Sequence, residues 1–303
     1  MELGFIGLGR MGGNMVQRIL RDSGHQLVVY DRSADAAAAL REFGAQPASS
    51  LQDLMSQLTP PRTVWLMVPS GDPVDQTLEA LYALGAPGDV FIDGGNSYFK
   101  DSMRRGKDAE ARGFHFMDVG TSGGIWGLQV GYCMMIGGRR EDFERVEPVF
   151  KALAPENGYG YMGVTGAGHF VKMVHNGVEY AMMQAYAEGF EILHKSPFDL
   201  DNEQIARLWN NGSVVRSWLL ELAESAFRQD PDLSKIQGYV EDTGEGRWTV
   251  LTAIEEDVPA TAIAHSLFAR FGSRQENSFG NRLLAALRNE FGGHAVRSSD
   301  QRP

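Results

Sequence analysis

A glycine-rich turn stands between a predicted strand and a predicted helix near the start of the chain. The run Gly7-Leu8-Gly9-Arg10-Met11-Gly12 follows an apolar strand that begins at residue 3, and it opens a helix over 11–20. Glycines at this spacing permit a tight turn and a close approach of the backbone to a ligand. The helix N-terminus then directs free N–H groups at a pyrophosphate. The turn therefore predicts a dinucleotide-binding α/β domain.

An acidic residue follows the turn at the spacing that ribose recognition requires. The second predicted strand, 26–31, ends at Asp31, 19 residues after Gly12. A carboxylate there suits the paired ribose hydroxyls of NAD and repels the 2′-phosphate of NADP. Arg32 and Ser33 come next and are able to meet such a phosphate. The sequence thus favours NAD without excluding NADP.

Strand and helix patterns alternate through the first half of the chain, and strand patterns then stop. Further apolar strand-like runs lie at 63–68, 90–93, 114–119, 131–136 and 158–164, with amphipathic stretches at 34–43, 74–84 and 141–153. After Gly166 a helical period predicts helices near 168–194, 202–210, 216–228, 246–257, 261–271 and 278–291. We therefore expect a Rossmann-type, doubly wound parallel sheet over 1–165, followed by an all-α domain over 166–303.

The charge balance limits the partners of this chain. The 28 basic and 39 acidic residues give a net charge of −11, so anionic nucleic acids and membranes are poor partners. An anionic small ligand requires its cations to be gathered in one site. Cys133 is the single cysteine, which excludes an intramolecular disulfide. The chain begins in a strand-like run rather than a signal peptide, and we expect a soluble cytoplasmic protein.

One predicted helix carries polar side chains on a single face. The residues at i, i+3, i+4 and i+7 are Lys172, His175, Asn176 and Glu179. At about 100° per residue they share one face, and the other faces are apolar. A solvated face with a Lys172–Glu179 ion pair is one interpretation, but such a row is expensive to bury unless it pairs or binds something. A lysine acts as a general base when burial lowers its pKa, and a carboxylic acid further along can deliver a proton.

The sequence resembles the 6-phosphogluconate dehydrogenases from residue 3 to about residue 296. The resemblance rests on four segments: 91–97 (FIDGGNS), 120–124 (GTSGG), 166–180 and 288–294 (RNEFGGH). The length is similar to that of a shorter, bacterial-type, NAD-preferring branch, whereas longer members have a larger helical half.

This resemblance implies oxidative decarboxylation of 6-phosphogluconate to ribulose 5-phosphate, as in the pentose phosphate pathway and gluconate utilisation. Hydride would leave C3 for NAD, with NADP as a weaker alternative. The 3-keto acid would lose carbon dioxide, and the resulting enediol would be protonated at C1. No metal is implied, in agreement with the lack of a metal-ligand spacing such as H-E-x-x-H.

The resemblance also implies residue roles. Lys172 would be the base for the C3 hydroxyl and then the acid at the C3 carbonyl, and Glu179 would protonate C1. The implied substrate contacts are Asn96, Ser122, Gly123, Gly124, His175, Asn176, Tyr180, Arg270, Arg288 and His294. The expected cofactor contacts are Gly7, Leu8, Gly9, Arg10, Met11, Gly12, Asp31, Arg32, Val68 and Asn96.

The resemblance further implies a homodimer or homotetramer. In that family the residues matched by Arg288 and His294 come from a neighbouring subunit, so the site is shared. The segment 242–249 (DTGEGRWT) departs from longer members, which carry a lysine in a mobile glycine-rich stretch before a Lys-Trp-Thr. We therefore expect Arg247 to be structural or a weak contributor to phosphate binding.

Two alternative functions remain open at this point. A 3-hydroxyisobutyrate-type dehydrogenase shares the Rossmann half, a serine-glycine-glycine loop and the helix lysine, but does not decarboxylate. Glu179 and the pair Arg288 and His294 favour the phosphogluconate interpretation. A non-catalytic dinucleotide-sensing protein is the other alternative, and the presence of both Lys172 and Glu179 argues against it.

Overall fold

The computed structural model describes residues 1–297, and contacts divide the chain into two compact units between Asn176 and Gly177. The dividing point lies inside a 28-residue helix, Ala167–His194. The first turns of this helix belong to the unit that contains the sheet. The boundary that we expected at residues 165 and 166 falls just before the helix, and that domain assignment stays a prediction.

The first unit contains one eight-stranded sheet in the order β3-β2-β1-β4-β5-β6-β7-β8. The strands are β1 (Glu2–Ile6), β2 (Gln26–Tyr30), β3 (Gln46–Pro47), β4 (Thr63–Leu66), β5 (Val90–Asp93), β6 (His115–Ser122), β7 (Cys133–Gly137) and β8 (Tyr159–Gly163). All neighbours pair in parallel except β6 and β7, which are antiparallel. The predicted Rossmann-type sheet is confirmed.

Both faces of the sheet are buried. Successive side chains of a strand point to opposite faces, so Phe5 joins one apolar cluster and Ile6 joins the other. Trp65 on β4 stacks on Phe5, with ring centroids 6.1 Å apart, and meets Phe150 edge-on. Parallel strands read as continuous apolar runs because helices cover both faces.

Helices cover the two faces of the sheet. They are α1 (Arg10–Asp22), α2 (Ala34–Ala39), α3 (Leu51–Ser56), α4 (Asp72–Leu84), α5 (Phe99–Ala111), α6 (Gly127–Val130) and α7 (Arg140–Leu153), with 3-10 turns at Leu40–Phe43 and Gly124–Trp126. The elements α3, α5, α6 and β3 were not predicted from the sequence. Helix α3 has only six residues and β3 only two. Helix α5 buries Ser102, Arg105 and Ala109, so it lacks an apolar period.

The second unit is helical, as predicted. Helix α8 (Ala167–His194) enters it from the first unit, and α9 (Asn202–Asn210), α10 (Trp218–Gln229), α11 (Glu245–Glu255), α12 (Thr261–Gly272) and α13 (Phe279–Gly292) follow. Side chains of Asp201, Ser217 and Ser278 cap α9, α10 and α13 by accepting backbone N–H groups. Within residues 1–297, no helix is both long and apolar enough to cross a membrane.

Candidate active site

The glycine-rich turn joins β1 to α1 as predicted, and two of its three glycines, Gly7 and Gly12, are sterically required. Gly7 has a φ of 92°, in the left-handed region that favours glycine. A Cβ on Gly12 would lie 2.0 Å from the Gly7 carbonyl oxygen, so α1 packs directly on the turn. Gly9 is the N-cap residue of α1, and a Cβ on Gly9 would meet nothing within 4 Å. The turn therefore presents open space at a helix N-terminus.

Asp31 lies just beyond β2 and holds this turn. The Leu8 N–H donates to its Oδ2 at 2.7 Å, and the Ser33 N–H donates to its Oδ1 at 2.8 Å. Each carboxylate oxygen keeps further acceptor capacity for a ribose hydroxyl. Arg32 is exposed beside it. The Asp31 carboxylate thus stabilises the turn and also lies where a ribose is expected.

The remaining expected cofactor residues surround the same edge of the sheet. Arg10 and Met11 begin α1, and Val68 follows β4. A Cβ on Gly7 would lie 3.3 Å from Val68 Cγ1, and a Cβ on Gly95 would lie 3.0 Å from the Val68 carbonyl oxygen. The turns that follow β1, β4 and β5 are therefore neighbours.

The two expected substrate loops follow β5 and β6. Asn96 is exposed in the first loop, between Gly95 and the buried Ser97. In the second loop Ser122 ends β6 opposite Cys133, and Gly123 and Gly124 have φ angles of 124° and 52°. Because β5 and β6 are parallel neighbours, both loops leave the same edge of the sheet.

Helix α8 begins in direct contact with the sheet because Asp118 of β6 caps it. The N–H groups of Gly166 and His169 donate to the two Asp118 oxygens at 2.6 and 2.7 Å. Burial raises the pKa of the Asp118 carboxyl, while these two backbone donors oppose the shift. A Cβ on Gly168 would lie 2.5 Å from the carbonyl oxygens of both Asp118 and Met135. At Gly168 the helix therefore packs directly on the backbone of β6 and β7.

Lys172 is buried by this close packing. Its side chain is among the buried polar groups of the chain, at 6% exposure. A Cβ on Gly120 of β6 would lie 2.3 Å from Lys172 Cβ, so glycine makes room for the lysine. Lys172 Nζ lies 3.4 Å from His175 Nδ1, which in turn lies 2.9 Å from Asn176 Oδ1. Three of the four predicted polar residues thus lie side by side in the first unit, within 3.4 Å of one another along the row.

Replacing Gly168 by alanine is expected to destabilise the protein by about 1–3 kcal/mol or more, because the new Cβ would collide with two carbonyl oxygens that cannot rotate away. Chemical denaturation followed by circular dichroism measures the change. Gly189→Ala on the same helix is the matched control, since a Cβ there meets nothing within 4 Å. Alanine at 189 is expected to stabilise the helix by about 0.5–1 kcal/mol. Equal unfolding midpoints for the two variants would contradict the packing described here.

In the second unit, Tyr180 and Arg270 lie against each other. The Arg270 guanidinium stacks on the buried Tyr180 ring, 3.5 Å from its centroid, and donates to the Glu241 carbonyl oxygen at 2.8 Å. The Tyr180 hydroxyl accepts the Thr243 N–H at 3.3 Å. These two expected substrate residues are brought together. Glu179 precedes Tyr180 on α8 and is half-buried.

The segment 242–247 is held by a carboxylate. Asp242 accepts two hydrogen bonds from Arg247, at 2.7 and 3.1 Å, and one from Arg274 at 2.6 Å. The bonds from Arg247 are the main cause that lowers the pKa of Asp242 to about 2. Arg247 also stacks on Phe271, 4.5 Å from the ring centroid. Its guanidinium is therefore engaged within the protein.

Arg288 and His294 stay apart from that pair. Both are exposed, and α13 buries none of its described residues. Among residues 1–297, no hydrogen bond or ion pair joins Arg288 or His294 to Tyr180 or Arg270. The His294 ring instead packs edge-on against Phe291, with centroids 6.4 Å apart.

Several buried polar residues that support the site were not predicted from the sequence. Asp93, Arg105, Asp118 and His169 are all buried. His169 lies three residues before Lys172, so the polar row of α8 extends one turn further than predicted. The three-residue spacing between His169 and Lys172 is the sequence feature that could have identified His169. In the same part of the chain, residues 1–297, no three His, Cys, Asp or Glu side chains converge as a metal site would require.

Two family models match this chain. A model described as the NAD binding domain of 6-phosphogluconate dehydrogenase matches residues 2–174. A second model, described as the 6-phosphogluconate dehydrogenase C-terminal domain, matches residues 168–285. Together they cover almost all the described residues.

Individual proteins of this family are similar to the chain in sequence and in structure. An NAD(+)-dependent, decarboxylating 6-phosphogluconate dehydrogenase of Haloferax volcanii is 50% identical over 302 residues, which is 99% of this chain and 100% of that protein. The 6-phosphogluconate dehydrogenase of Plasmodium falciparum is 27% identical, with a TM-score of 0.82 over all of this chain and 67% of its own. A 3-hydroxyisobutyrate dehydrogenase of Mycobacterium tuberculosis, 21% identical over 95% of this chain and 99% of its own, has a TM-score of 0.71 and shares the fold.

Proposed function

The chain belongs to the 6-phosphogluconate dehydrogenase family, and from this premise we propose how its own residues perform the reaction. The enzyme is an NAD-dependent oxidoreductase that oxidises and decarboxylates 6-phosphogluconate, a reaction of the pentose phosphate pathway. The observation that carries the residue assignment is the burial of Lys172 against Gly120, on the strand that leads into the 122–124 loop.

The residues present fit a dinucleotide. Gly9 leaves open space at the start of α1, where backbone N–H groups favour a pyrophosphate. We assign the cofactor contacts to Gly7, Leu8, Gly9, Arg10, Met11, Gly12, Asp31, Arg32, Val68 and Asn96. When bound, NAD supplies the acceptor for the hydride that leaves C3 of the substrate.

Lys172 serves as both base and acid in this proposal. Its Nζ takes the proton of the C3 hydroxyl while the electron pair of the C3–H bond departs as hydride, so C3 becomes a carbonyl. The C1–C2 bond then breaks and its electrons form a double bond between C2 and C3. Lys172 returns its proton to the C3 oxygen at that point, which leaves carbon dioxide and an enediol.

Glu179 completes the reaction. It gives a proton to the carbon that lost carbon dioxide, which becomes C1 of ribulose 5-phosphate. Lys172 takes back the proton of the neighbouring enediol hydroxyl, so the product is a ketone. His175 and Asn176, which contact each other at 2.9 Å beside Lys172, hold the substrate hydroxyls and the carboxylate region. Asn96, Ser122, Gly123 and Gly124 supply further donors to the sugar acid.

Tyr180 and Arg270 bind the phosphate in this proposal. The stacked guanidinium is held in one orientation and keeps donors for phosphate oxygens. A phosphate dianion requires more than one cation for tight capture, and Arg247 is already engaged by Asp242. Arg288 and His294 are therefore proposed to complete the phosphate site.

We propose that Arg288 and His294 reach the site of a second copy of the chain, in a homodimer or homotetramer. Helix α13 exposes apolar side chains along its length, among them Phe279 at 72% and Phe291 at 78%. Such a surface is typical of a helix that packs against a partner. An apolar cavity of about 580 Å³, lined by α8 and α10 residues such as Phe190 and Phe227, also lies in the second unit.

We propose that neither nucleic acid nor a membrane is a partner of this chain. A net charge of −11 disfavours nucleic acid and membrane surfaces. We also propose a cytoplasmic location, where phosphorylated sugar acids are retained.

A substrate panel tests the proposed function. Purified protein with NAD is offered 6-phosphogluconate, 3-hydroxyisobutyrate or glycerate, and the reduced-nicotinamide absorbance is followed together with release of carbon dioxide. We expect one carbon dioxide per NADH with 6-phosphogluconate and little reaction with the other two. NADH without carbon dioxide, or a preference for 3-hydroxyisobutyrate, would contradict the proposed roles. No absorbance change with any substrate would favour a sensing protein.

Asp31 is expected to set the NAD preference. Asp31→Asn should reduce the ratio of kcat/KM for NAD to that for NADP by about tenfold, because the charge repulsion with a 2′-phosphate disappears. NAD turnover should also fall, since a single amide oxygen replaces the two oxygens that accept from Leu8 and Ser33. Asp35→Asn, an exposed change of the same charge on α2, is the control. A wild-type enzyme that prefers NADP would exclude this role.

A further inference from the structure

His169 is a buried titratable side chain to which the proposed reaction gives no role. It lies at the start of α8 and is 1% exposed. Its Nε2 lies 3.1 Å from the Gly95 carbonyl oxygen, and its Nδ1 lies 2.7 Å from Ser102 Oγ. The ring therefore reaches from the helix of Lys172 to the loop of Asn96.

The two contacts fix the orientation of the ring. A carbonyl oxygen only accepts, so Nε2 must carry the hydrogen that is donated to Gly95. In the neutral ring Nδ1 is then an acceptor, and the Ser102 hydroxyl donates to it. The alternative acceptor for that hydroxyl, the Tyr98 carbonyl oxygen, is 3.4 Å away and is the longer contact. Both ring nitrogens are satisfied in a site without solvent access.

The loop is held from its other side by Asp93, at the end of β5. The Gly95 N–H donates to Asp93 Oδ1 at 3.1 Å, and the Ser97 hydroxyl donates to Oδ2 at 2.7 Å. Arg105, which is also buried, donates to the same Oδ2 at 3.3 Å. The residues on either side of Asn96 are therefore held by hydrogen bonds. The contacts of Asp93 come from β5, and the contact of His169 with Gly95 comes from α8.

We propose that His169 is a positioning residue that fixes the Asn96 loop relative to Lys172. Its own N–H is bound by Asp118, so the helix end that carries the ring is itself fixed to β6. The proposal rests on the proposed roles of Lys172 and Asn96. A misplacement of about 1 Å between reacting groups lowers the rate by up to about a hundredfold. Loss of the contact between His169 and Gly95 is therefore expected to lower kcat.

Two substitutions separate the two ring contacts. Glutamine places its amide nitrogen near the position of Nε2, so His169→Gln keeps a donor for Gly95. Asparagine is shorter and places its polar group near Nδ1, so His169→Asn keeps a partner for Ser102 and loses the donor to Gly95. The two variants have side chains of similar polarity, but His169→Gln keeps the contact with Gly95 and His169→Asn keeps the contact with Ser102.

His169→Asn is expected to lower kcat with 6-phosphogluconate by about tenfold or more, with the KM for NAD changed by less than about threefold. The deuterium isotope effect with 3-deuterated substrate should rise, because hydride transfer becomes more rate-limiting. His169→Gln should restore kcat to within about threefold of the wild type. A merely structural role would lower thermal stability and activity together in both variants, without this split.

A His169→Asn enzyme with wild-type kcat, or an equal loss of kcat in both variants, would show that His169 does not position the Asn96 loop. If neither variant folds, Ser102→Ala decides, because it removes only the hydroxyl that orients the ring. That variant should lower kcat by about threefold and raise the isotope effect, and wild-type values would overturn the inference. Wild-type protein that shows no turnover of 6-phosphogluconate would instead contradict the proposed function itself.

Discussion

Lys172→Met is expected to lower kcat with 6-phosphogluconate and NAD by about 10³-fold or more, since it removes the base of the oxidation and the acid of the decarboxylation. Methionine is close to lysine in length and is apolar, so the packing against Gly120 is kept. The dinucleotide turn lies on β1 and α1. The dissociation constant for NADH, measured by fluorescence titration, should therefore change by less than about threefold.

Lys107→Met is the matched control for this variant. Lys107 is an exposed lysine on α5, and the same change there should leave kcat unaltered. A Lys172→Met enzyme that retains most of its turnover, with normal folding by circular dichroism, would show that another group is the base. Loss of NADH binding together with turnover would show that Lys172 acts through the cofactor site instead.

The sequence predicts those parts of the fold whose apolar pattern is strong. Strands β1, β2, β4 and β5 are continuous apolar runs because both sheet faces are covered, and helix α8 is marked by the helical spacing of its polar residues 172, 175, 176 and 179. Helix α5 escapes prediction because its buried positions include Ser102 and Arg105, which bind polar partners rather than an apolar core. The buried face of this helix is therefore not marked by a row of apolar residues.

The candidate site is predictable to a similar extent. The glycine turn and the polar row of α8 are visible as spacings, and the motifs 91–97 and 120–124 identify the two loops. The bond from Leu8 to Asp31 and the approach of Gly120 to Lys172 are not visible, because they join residues that the sheet brings together from distant positions. His169 lies within the recognisable spacing of the row. Its partner, Gly95, is identified only by the structure.

A second subunit is expected to contribute Arg288 to each phosphate site. Arg288→Ala alone should lower kcat/KM for 6-phosphogluconate by about a hundredfold, because one charge-assisted contact to the phosphate is lost. Arg282→Ala on the same exposed helix is the control and should leave kcat/KM unchanged. The wild-type oligomeric state is measured first by light scattering, since a fully active monomer would exclude a shared site.

Mixing two inactive variants then shows which chain supplies Arg288. Lys172→Met and Arg288→Ala chains with different tags are co-expressed, and the doubly tagged species is isolated. If α13 completes the neighbouring site, one site of each mixed dimer carries both changes and the other carries neither. The isolated mixed dimer should then have about half of the wild-type activity, because one of its two sites is intact.

A second mixture shows that any recovery comes from crossing chains. Lys172 and Asn176 lie on one helix within the first unit, so mixed dimers of Lys172→Met with Asn176→Ala chains keep one defect in every site. No recovery beyond the mean of the parents is expected there. If the Arg288→Ala mixture behaves in the same way, each subunit fills its own phosphate pocket, and the exposed apolar face of α13 serves assembly without carrying Arg288 into the neighbouring site.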